Sequence, residues 1–266
     1  ELVRNGVIGK IKHVGIAVGD PGRPCDLPEE SPEPGLNWNL WCGPAPLRAY
    51  SSVLSPRGIH NHFPAWRNYM EYGGGMVTDW GAHHIDIAQW GLGADNSGPI
   101  EARPPEDWKK WKSKRGAKLV YSSGTTITHQ SGFGVHFQGE DGDVKVNRGR
   151  FVFSLKGKEI AKFEKRGDGS LGSALQTAEK TFLKNAKVKL YNSNHHIRDF
   201  LSSMESRKKP ITNEIVGGRS AICCHLMNQS YYNGEVIKWD PKTNTLSEKT
   251  GNPEWLTRDY RGIWKV

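Results

Sequence analysis

Two aspartates and two histidines lie close together in EYGGGMVTDWGAHHIDIAQW, residues 71–90. On a helix, Asp79 and His83 are four residues apart and Asp86 follows three residues later, so these side chains share one face. His84 is rotated by about 100° and should point elsewhere. A carboxylate beside an imidazole suits proton transfer, because it orients the ring that takes the proton. A buried Asp–His pair that only stabilises a core helix has the same spacing and is the alternative.

The histidine and cysteine spacings do not indicate a metal site. The zinc motif HEXXH separates its two histidines by one helical turn, whereas His83 and His84 are adjacent. The cysteines have neither the number nor the spacing of a zinc site or a disulfide framework; they are Cys25, Cys42, Cys223 and Cys224. We therefore expect no bound metal, and we expect Cys223 and Cys224 to be small buried side chains.

Glycines and stop signals predict the elements that must position the acid–base segment. Residues 73–75 are three glycines, which permit close backbone approach, and Thr78 or Asp79 can cap the following helix. Residues 10–18, KIKHVGIAV, alternate as a strand does. The residues before them resemble the end of a helix with Gly6 as a stop signal. Because a helix end implies a helix before it, we expect residue 1 to lie inside a longer protein.

The second half of the chain predicts a sheet and then two helices. Alternating segments over residues 117–131 and 132–160 are joined by the turn signals GEDG and LKGKE, which favours antiparallel pairing. Helices are expected within residues 194–210 and 217–234. We therefore expect one α+β domain over residues 1–266, with a large, mostly antiparallel sheet and helices on one face. We expect a homo-oligomer that forms through the opposite face of the sheet, which, if apolar, should be buried against a second copy.

Composition limits the classes of partner. The chain has 37 basic and 28 acidic residues, a net charge of +9, with part of the excess in DWKKWKSKRGAK, residues 107–118. Tryptophans among lysines can form a groove for single-stranded nucleic acid, but a solvated surface is the commoner outcome and no nucleic-acid motif accompanies them. No apolar run is long enough to cross a membrane. We expect neither nucleic acid nor membrane as a partner.

Several segments together resemble one protein family. GGGMVTDWGAHHIDIAQW resembles the signature of the Gfo/Idh/MocA oxidoreductases, and ELVRNGVIGKIKHVGIAVG resembles the passage out of their nucleotide-binding domain. GVHFQGEDGDVKVNRG is similar to their sheet hairpin, and HIRDFLSSMESRKKPIT, GRSAICCHLMN and KWDP are similar to the closing helices and tail of one subgroup. The resemblance spans nearly the whole chain.

This resemblance implies a function for the acid–base segment. It implies the substrate-binding and catalytic domain of an NAD(P)-dependent oxidoreductase that acts on a sugar, polyol or glycoside hydroxyl. Asp79 and His83 would be the catalytic pair, with His83 exchanging the hydroxyl proton while hydride passes to or from the nicotinamide. Asp86 would bind or support the substrate.

Three residues shortly before the glycines are further candidates for the sugar pocket. They are His62, Trp66 and Arg67, because aromatic faces and bidentate donors suit polyhydroxylated ligands. Structural packing explains these three residue types equally well.

The chain also departs from the family pattern. It contains neither the G-x-G-x-x-G fingerprint nor the Glu-Lys-Pro segment of the preceding Rossmann domain. We therefore expect NAD or NADP to be bound mainly by a Rossmann domain upstream of residue 1, and no cofactor-binding residue is assigned here. Two alternatives remain open: a redox-assisted glycoside hydrolase of the same family, and a non-catalytic domain kept for binding or for homo-oligomer formation through the sheet. Cytoplasm and periplasm both remain open as locations.

Overall fold

The computed structural model describes residues 1–58 and 64–264. Its strands, in chain order, are β1 (Ile11–Ile16), β2 (Glu101–Arg103), β3 (Lys118–Val120), β4 (Thr126–His129), β5 (Val135–Gly139), β6 (Gly142–Asn147), β7 (Arg150–Leu155), β8 (Lys158–Phe163), β9 (Ile237–Asp240) and β10 (Thr245–Leu246). Its α-helices are α1 (Trp38–Cys42), α2 (Asp79–Leu92), α3 (Leu171–Phe182), α4 (His196–Ser206) and α5 (Glu214–Asn233). Short 3₁₀ turns lie at Ala65–Asn68, Arg166–Asp168, Pro253–Leu256 and Gly262–Trp264.

The ten described strands form one sheet in the order β10-β9-β2-β3-β4-β1-β5-β6-β7-β8. Every pairing is antiparallel except that of β1 with β4. After β1, the chain returns to the sheet as β2 only after a long crossover that contains α2. Strands β5 to β8, in contrast, are joined by tight turns, which give antiparallel neighbours. The sequence-based prediction of an α+β domain with a large, mostly antiparallel sheet is confirmed.

One face of the sheet carries the hydrophobic core. Val14 on β1 pairs with Ile127 on β4 and with Phe137 on β5, and all three are buried. Helices α2 and α5 pack on each other and on the centre of the sheet, while α3 packs on β7 and β8. The Phe153 and Phe182 rings meet edge to face at 5.1 Å. The core therefore fixes α2, the helix that carries the acid–base segment.

The opposite face of the sheet is mostly polar. His13 on β1 pairs across the register with Thr126 and Gln138, and Gln138 pairs with Asp143. His13 Nδ1 lies 2.9 Å from Thr126 Oγ1 and its Nε2 lies 3.3 Å from Gln130 Oε1. An apolar face was the condition for the expected burial against a second copy, and this condition is not met.

The late helices differ in detail from the sequence-based expectation. Helix α3 was not expected, because its residues are largely exposed and give a weak core signal. Helix α5 begins at Glu214, capped by the Asn213 side chain, which accepts from the Ile215 and Val216 amides. Cys223 and Cys224 on α5 are buried, as expected. Helix α4 buries none of its residues.

The basic segment 107–118 is tied to the fold at several points. Trp108 Nε1 donates to the Tyr231 carbonyl at 2.7 Å, and Trp111 is in ring contact with Tyr232 at 5.5 Å. Lys114 and Arg115 both pair with Asp20 at 2.9 Å. These contacts give both tryptophans and two of the cations, Lys114 and Arg115, structural roles. No helix within residues 1–58 and 64–264 is both long and apolar enough to span a bilayer.

Candidate active site

The glycine turn before α2 is held by close backbone contacts on two sides. The Gly75 amide donates to the Arg67 carbonyl at 2.7 Å, and Gly75 forms a β-bridge with Pro21. Gly75 has φ +78°, and a Cβ there would lie 2.3 Å from the Gly22 nitrogen. A side chain at this position would be strained and would also clash with backbone. The turn thus requires glycine, as the sequence indicated.

Thr78 precedes α2 but does not cap it with its side chain. Its hydroxyl donates back to the carbonyls of Gly73 and Gly75, the latter at 3.0 Å. Thr78, one of the two residues expected to cap α2, occupies the N-cap position, but its side chain forms no capping hydrogen bond because its hydroxyl donates to the carbonyls of the preceding turn. Asn228 on α5 donates to the Gly74 carbonyl at 2.6 Å and ties the turn to the core.

Three of the candidate residues meet at the N-terminus of α2. Arg67 Nε lies 2.8 Å from Asp79 Oδ2, and the Arg67 guanidinium lies 4.7 Å from the centre of the Trp66 ring. Both side chains of the ion pair are about three-quarters buried. A carboxylate in the first turn of a helix also interacts favourably with the helix dipole. Asp79 is thus paired with Arg67, and no hydrogen bond joins it to His83 in the described residues.

His83 lies one helical turn further along α2 and is exposed. Its ring centre is 5.6 Å from that of Trp80. It lines an open cleft of about 610 Å³ whose wall includes Asp86; the other lining residues are Ala82, Ile87, Val146, Asn147, Arg148, Thr212, Gly217 and Ser220. We call this space the His83 cleft. An accessible imidazole in a cleft of this size can exchange a proton with a bound small molecule.

Asp86, on the wall of the His83 cleft, is held in place by helix α5. The Ser220 hydroxyl, from α5, donates to Asp86 Oδ1 at 2.9 Å. One Asp86 oxygen can therefore face the cleft while the other is oriented by α5. His83 and Asp86 both line the cleft, as expected for side chains on one face of the helix. Asp79 does not line it. His62, the remaining candidate, lies outside the described residues.

His84 points away from the His83 cleft, but it is not isolated. Arg148, at the tip of the β6–β7 hairpin, donates from Nη1 to His84 Nε2 at 2.7 Å, so the histidine proton resides on Nδ1. The Arg148 guanidinium also stacks on Trp80, 4.3 Å from the ring centre. Burial and, secondarily, the Arg148 charge lower the pKa of His84 to about 4. His84 is therefore neutral near pH 7.

Sequence reasoning did not identify Arg148, Thr212 or Ser220 as residues of the cleft. Arg148 stands in VNRGR, but nothing in the spacing links this hairpin tip to a helix residue 64 positions away. Ser220 lies in a run of small residues that resembles core. Only the packing of α5 and of the hairpin against α2 brings these side chains together.

Comparison with known proteins gives a family. The sequence profile of the oxidoreductase family Gfo/Idh/MocA, for its C-terminal alpha/beta domain, matches residues 22–266. The search of curated proteins found no match.

Solved structures resemble the chain only distantly. A levoglucosan dehydrogenase in complex with NADH and L-sorbose is 10% identical, with a TM-score of 0.49, over 91% of this chain and 62% of that one. The WlbA dehydrogenase from Bordetella pertussis, in complex with NADH and UDP-GlcNAcA, is 15% identical, with a TM-score of 0.44, over 90% and 59%. An NAD-binding oxidoreductase from Klebsiella pneumoniae is 13% identical, with a TM-score of 0.45, over 89% and 61%. The chain spans about three fifths of the length of these structures.

Proposed function

The chain belongs to the Gfo/Idh/MocA oxidoreductase family, of which it carries the C-terminal alpha/beta domain. From this premise we propose that it binds the substrate and moves the substrate proton in an NAD(P)-dependent oxidation or reduction of a sugar, polyol or glycoside hydroxyl. The observation that carries the proposal is the exposed His83 imidazole on the wall of a cleft that also holds Asp86. An imidazole exchanges protons readily near neutral pH.

In the oxidative direction, we assign His83 as the base that accepts the hydroxyl proton of the substrate. The O–H bond of the substrate breaks and its proton goes to His83. The cofactor, bound outside this chain, would accept the hydride from the carbon that bears this hydroxyl. Asp86, fixed by Ser220, accepts a hydrogen bond from a neighbouring substrate hydroxyl. Asp79 acts indirectly, because its ion pair with Arg67 holds the N-terminal turn of α2. Trp66 and Arg67 then support this turn and the binding surface beside it.

The nicotinamide, NAD or NADP, would supply the hydride acceptor or donor. The described residues do not fit the diphosphate of a dinucleotide: the sheet has a single parallel pair, and no strand–glycine turn–helix unit of the Rossmann type is present among them. We therefore propose that a Rossmann domain N-terminal to this chain binds the cofactor. Every step assigned to these residues concerns the substrate and its proton.

The full-length protein provides the test. It should be incubated with a panel of neutral and acidic sugars, polyols and glycosides plus NAD or NADP, with absorbance at 340 nm and product analysis as readouts. Reduced cofactor formed with an oxidised sugar supports the proposal. Release of an aglycone without net cofactor reduction would assign the alternative of redox-assisted glycoside cleavage. No turnover of any kind would favour a non-catalytic binding domain.

We also propose that the polar face of the sheet forms contacts between copies of the chain. What supports this is the breadth of a face that no described helix covers, together with hydrogen-bonding side chains such as His13, Gln138 and Asp143 arranged in one row. Such a contact rests on polar pairing and shape rather than on a large apolar patch.

A further inference from the structure

A second cleft lies beside the His83 cleft, on the other side of Arg148. It has a volume of about 320 Å³ and is lined by Ala17, Val18, Gly19, Trp80, His84, Asn147, Arg148 and Arg150. Asn147 and Arg148 line both clefts and form their common wall. We call this second space the arginine cleft. A molecule in the His83 cleft can therefore extend into it past the hairpin tip.

The residues that line the arginine cleft carry net positive charge. Two guanidinium groups line it, and none of its described lining residues is acidic. Neither Arg148 nor Arg150 forms an ion pair with a described carboxylate. Arg67, in contrast, is paired with Asp79. No carboxylate of residues 1–58 or 64–264 therefore forms an ion pair that offsets the positive charge of these two arginines.

Both guanidinium groups are held in place by neutral partners. Arg148 stacks on Trp80 and donates to His84, while Arg150 lies 4.9 Å from the centre of the Phe133 ring. Because His84 is buried and neutral, it fixes one nitrogen of Arg148 without cancelling the charge. The remaining N–H groups of Arg148 stay available for a ligand, and a guanidinium recognises carboxylate and phosphate oxygens with a matching fork of donors.

We propose that the arginine cleft binds an anionic group, a carboxylate or a phosphate, on the carbohydrate whose reacting hydroxyl lies at His83. The substrate class is then acidic sugars rather than neutral ones, with Arg148 as the residue that determines this specificity. This inference rests on the proposed function for its account of the reacting hydroxyl, but the anion-binding part is independent of turnover.

The first test measures binding to this chain without cofactor. D-glucuronate, D-glucose 6-phosphate, D-glucose and inorganic phosphate should be titrated by calorimetry or by NMR of the His and Arg side chains. We expect one or both acidic sugars to bind at least about tenfold more tightly than glucose and than phosphate alone, because charge-assisted hydrogen bonds add to the sugar contacts. The two acidic probes distinguish carboxylate from phosphate recognition.

Variants identify the residue responsible. Arg148→Gln should weaken binding of the preferred acidic sugar about tenfold or more, and Arg148→Lys should restore only part of it because an ammonium lacks the fork geometry. Arg166→Gln removes an exposed arginine outside both clefts and should leave binding unchanged. Equal binding of glucose and the acidic sugars, or an equal loss in the Arg166 variant, would overturn the proposal.

Kinetics of the full-length protein separate this inference from the proposed function. Arg148→Gln should lower kcat/KM for acidic sugars at least about tenfold more than it lowers kcat/KM for a neutral sugar, whereas His83→Ala should lower kcat for both classes of sugar. Turnover of neutral sugars with no preference for acids contradicts the arginine cleft and leaves the proposed function standing. Specific binding of acidic sugars without turnover would support the arginine cleft and contradict the proposed function. An effect of Arg148→Gln confined to the KM for NAD(P) contradicts the assignment to the sugar.

Discussion

At the residue scale, the spacing in the sequence predicted only part of the site. It placed His83 and Asp86 on one helical face, and both line the same cleft. It could not predict that Asp79 pairs with Arg67, since that contact depends on how the glycine turn folds back on the 3₁₀ turn before it. The contact between His84 and Arg148 could not be predicted either, because no sequence pattern links a hairpin tip to a distant helix.

Buried neutral histidines should make stability depend on pH. Burial, followed by the charges of Arg148 and Arg115, lowers the pKa values of His84 and His129 to about 4. The unfolded chain, in which histidine titrates near 6.5, then binds more protons than the native chain between those values. The free energy of unfolding should therefore fall as pH is lowered from about 6.5 to 4, by up to about 3 kcal/mol per histidine.

Urea unfolding at several pH values in this window measures the effect. His129→Gln should show a shallower decline because it removes one of the buried histidines whose pKa is lowered. The exposed His196→Gln should keep the decline of the parent chain. Identical slopes in the parent chain and the His129 variant would contradict the account.

At the element scale, the glycine turn should be far less tolerant than other turns. Gly75→Ala combines a left-handed conformation with a Cβ only 2.3 Å from the Gly22 nitrogen, whereas Gly157 has φ +75° with nothing within 4 Å of its Cβ position. We expect Gly157→Ala to cost about 1 kcal/mol and Gly75→Ala about 3 kcal/mol or more. Chemical denaturation compares them, and equal costs would show that the turn is not rigid.

Helix α4 should be the least stable of the longer helices. None of its eleven residues is buried, and its apolar side chains are all exposed; they are Ile197, Phe200, Leu201 and Met204. Isolated helices of this length are marginal in water. In this chain alone, amide hydrogen exchange in α4 should be about 10³-fold faster than in the buried part of α5. Comparable protection of the two helices would mean that α4 is covered in solution.

The elements themselves divide into those with strong and those with weak sequence signals. Strands β5 to β8 were predictable because alternation and tight turns coincide there, and the start of α2 was predictable from its glycines. Helix α3 and the first turn of α5 were missed. In α5 the residues Gly217 and Gly218 lie inside the helix, where glycine ordinarily signals a break, and tertiary packing overrides that preference.

At the scale of the whole molecule, the polar sheet face sets an expectation for assembly. Gln138→Arg adds a long side chain to this face, opposite Asp143, and should abolish self-association through it by crowding. Gln176→Arg, on the exposed side of α3, is the matched control. Sedimentation velocity at about 100 µM, a concentration suited to weak complexes, should show dimers for the parent chain and the control only. A monomeric parent chain, or a dimeric Gln138 variant, would refute the proposed contact.

The central claim is that the His83 cleft is where the substrate proton is transferred, and the most direct measurement compares turnover by the full-length protein and its His83→Ala variant, with thermal unfolding of both. The account predicts a loss of about 10² to 10⁴ in kcat, with a melting temperature that changes little because His83 is exposed. His196→Ala, an exposed histidine on α4, should leave both quantities unchanged. A His83 variant that turns over at the parent rate per folded molecule, or that loses activity only because it unfolds, would contradict the account.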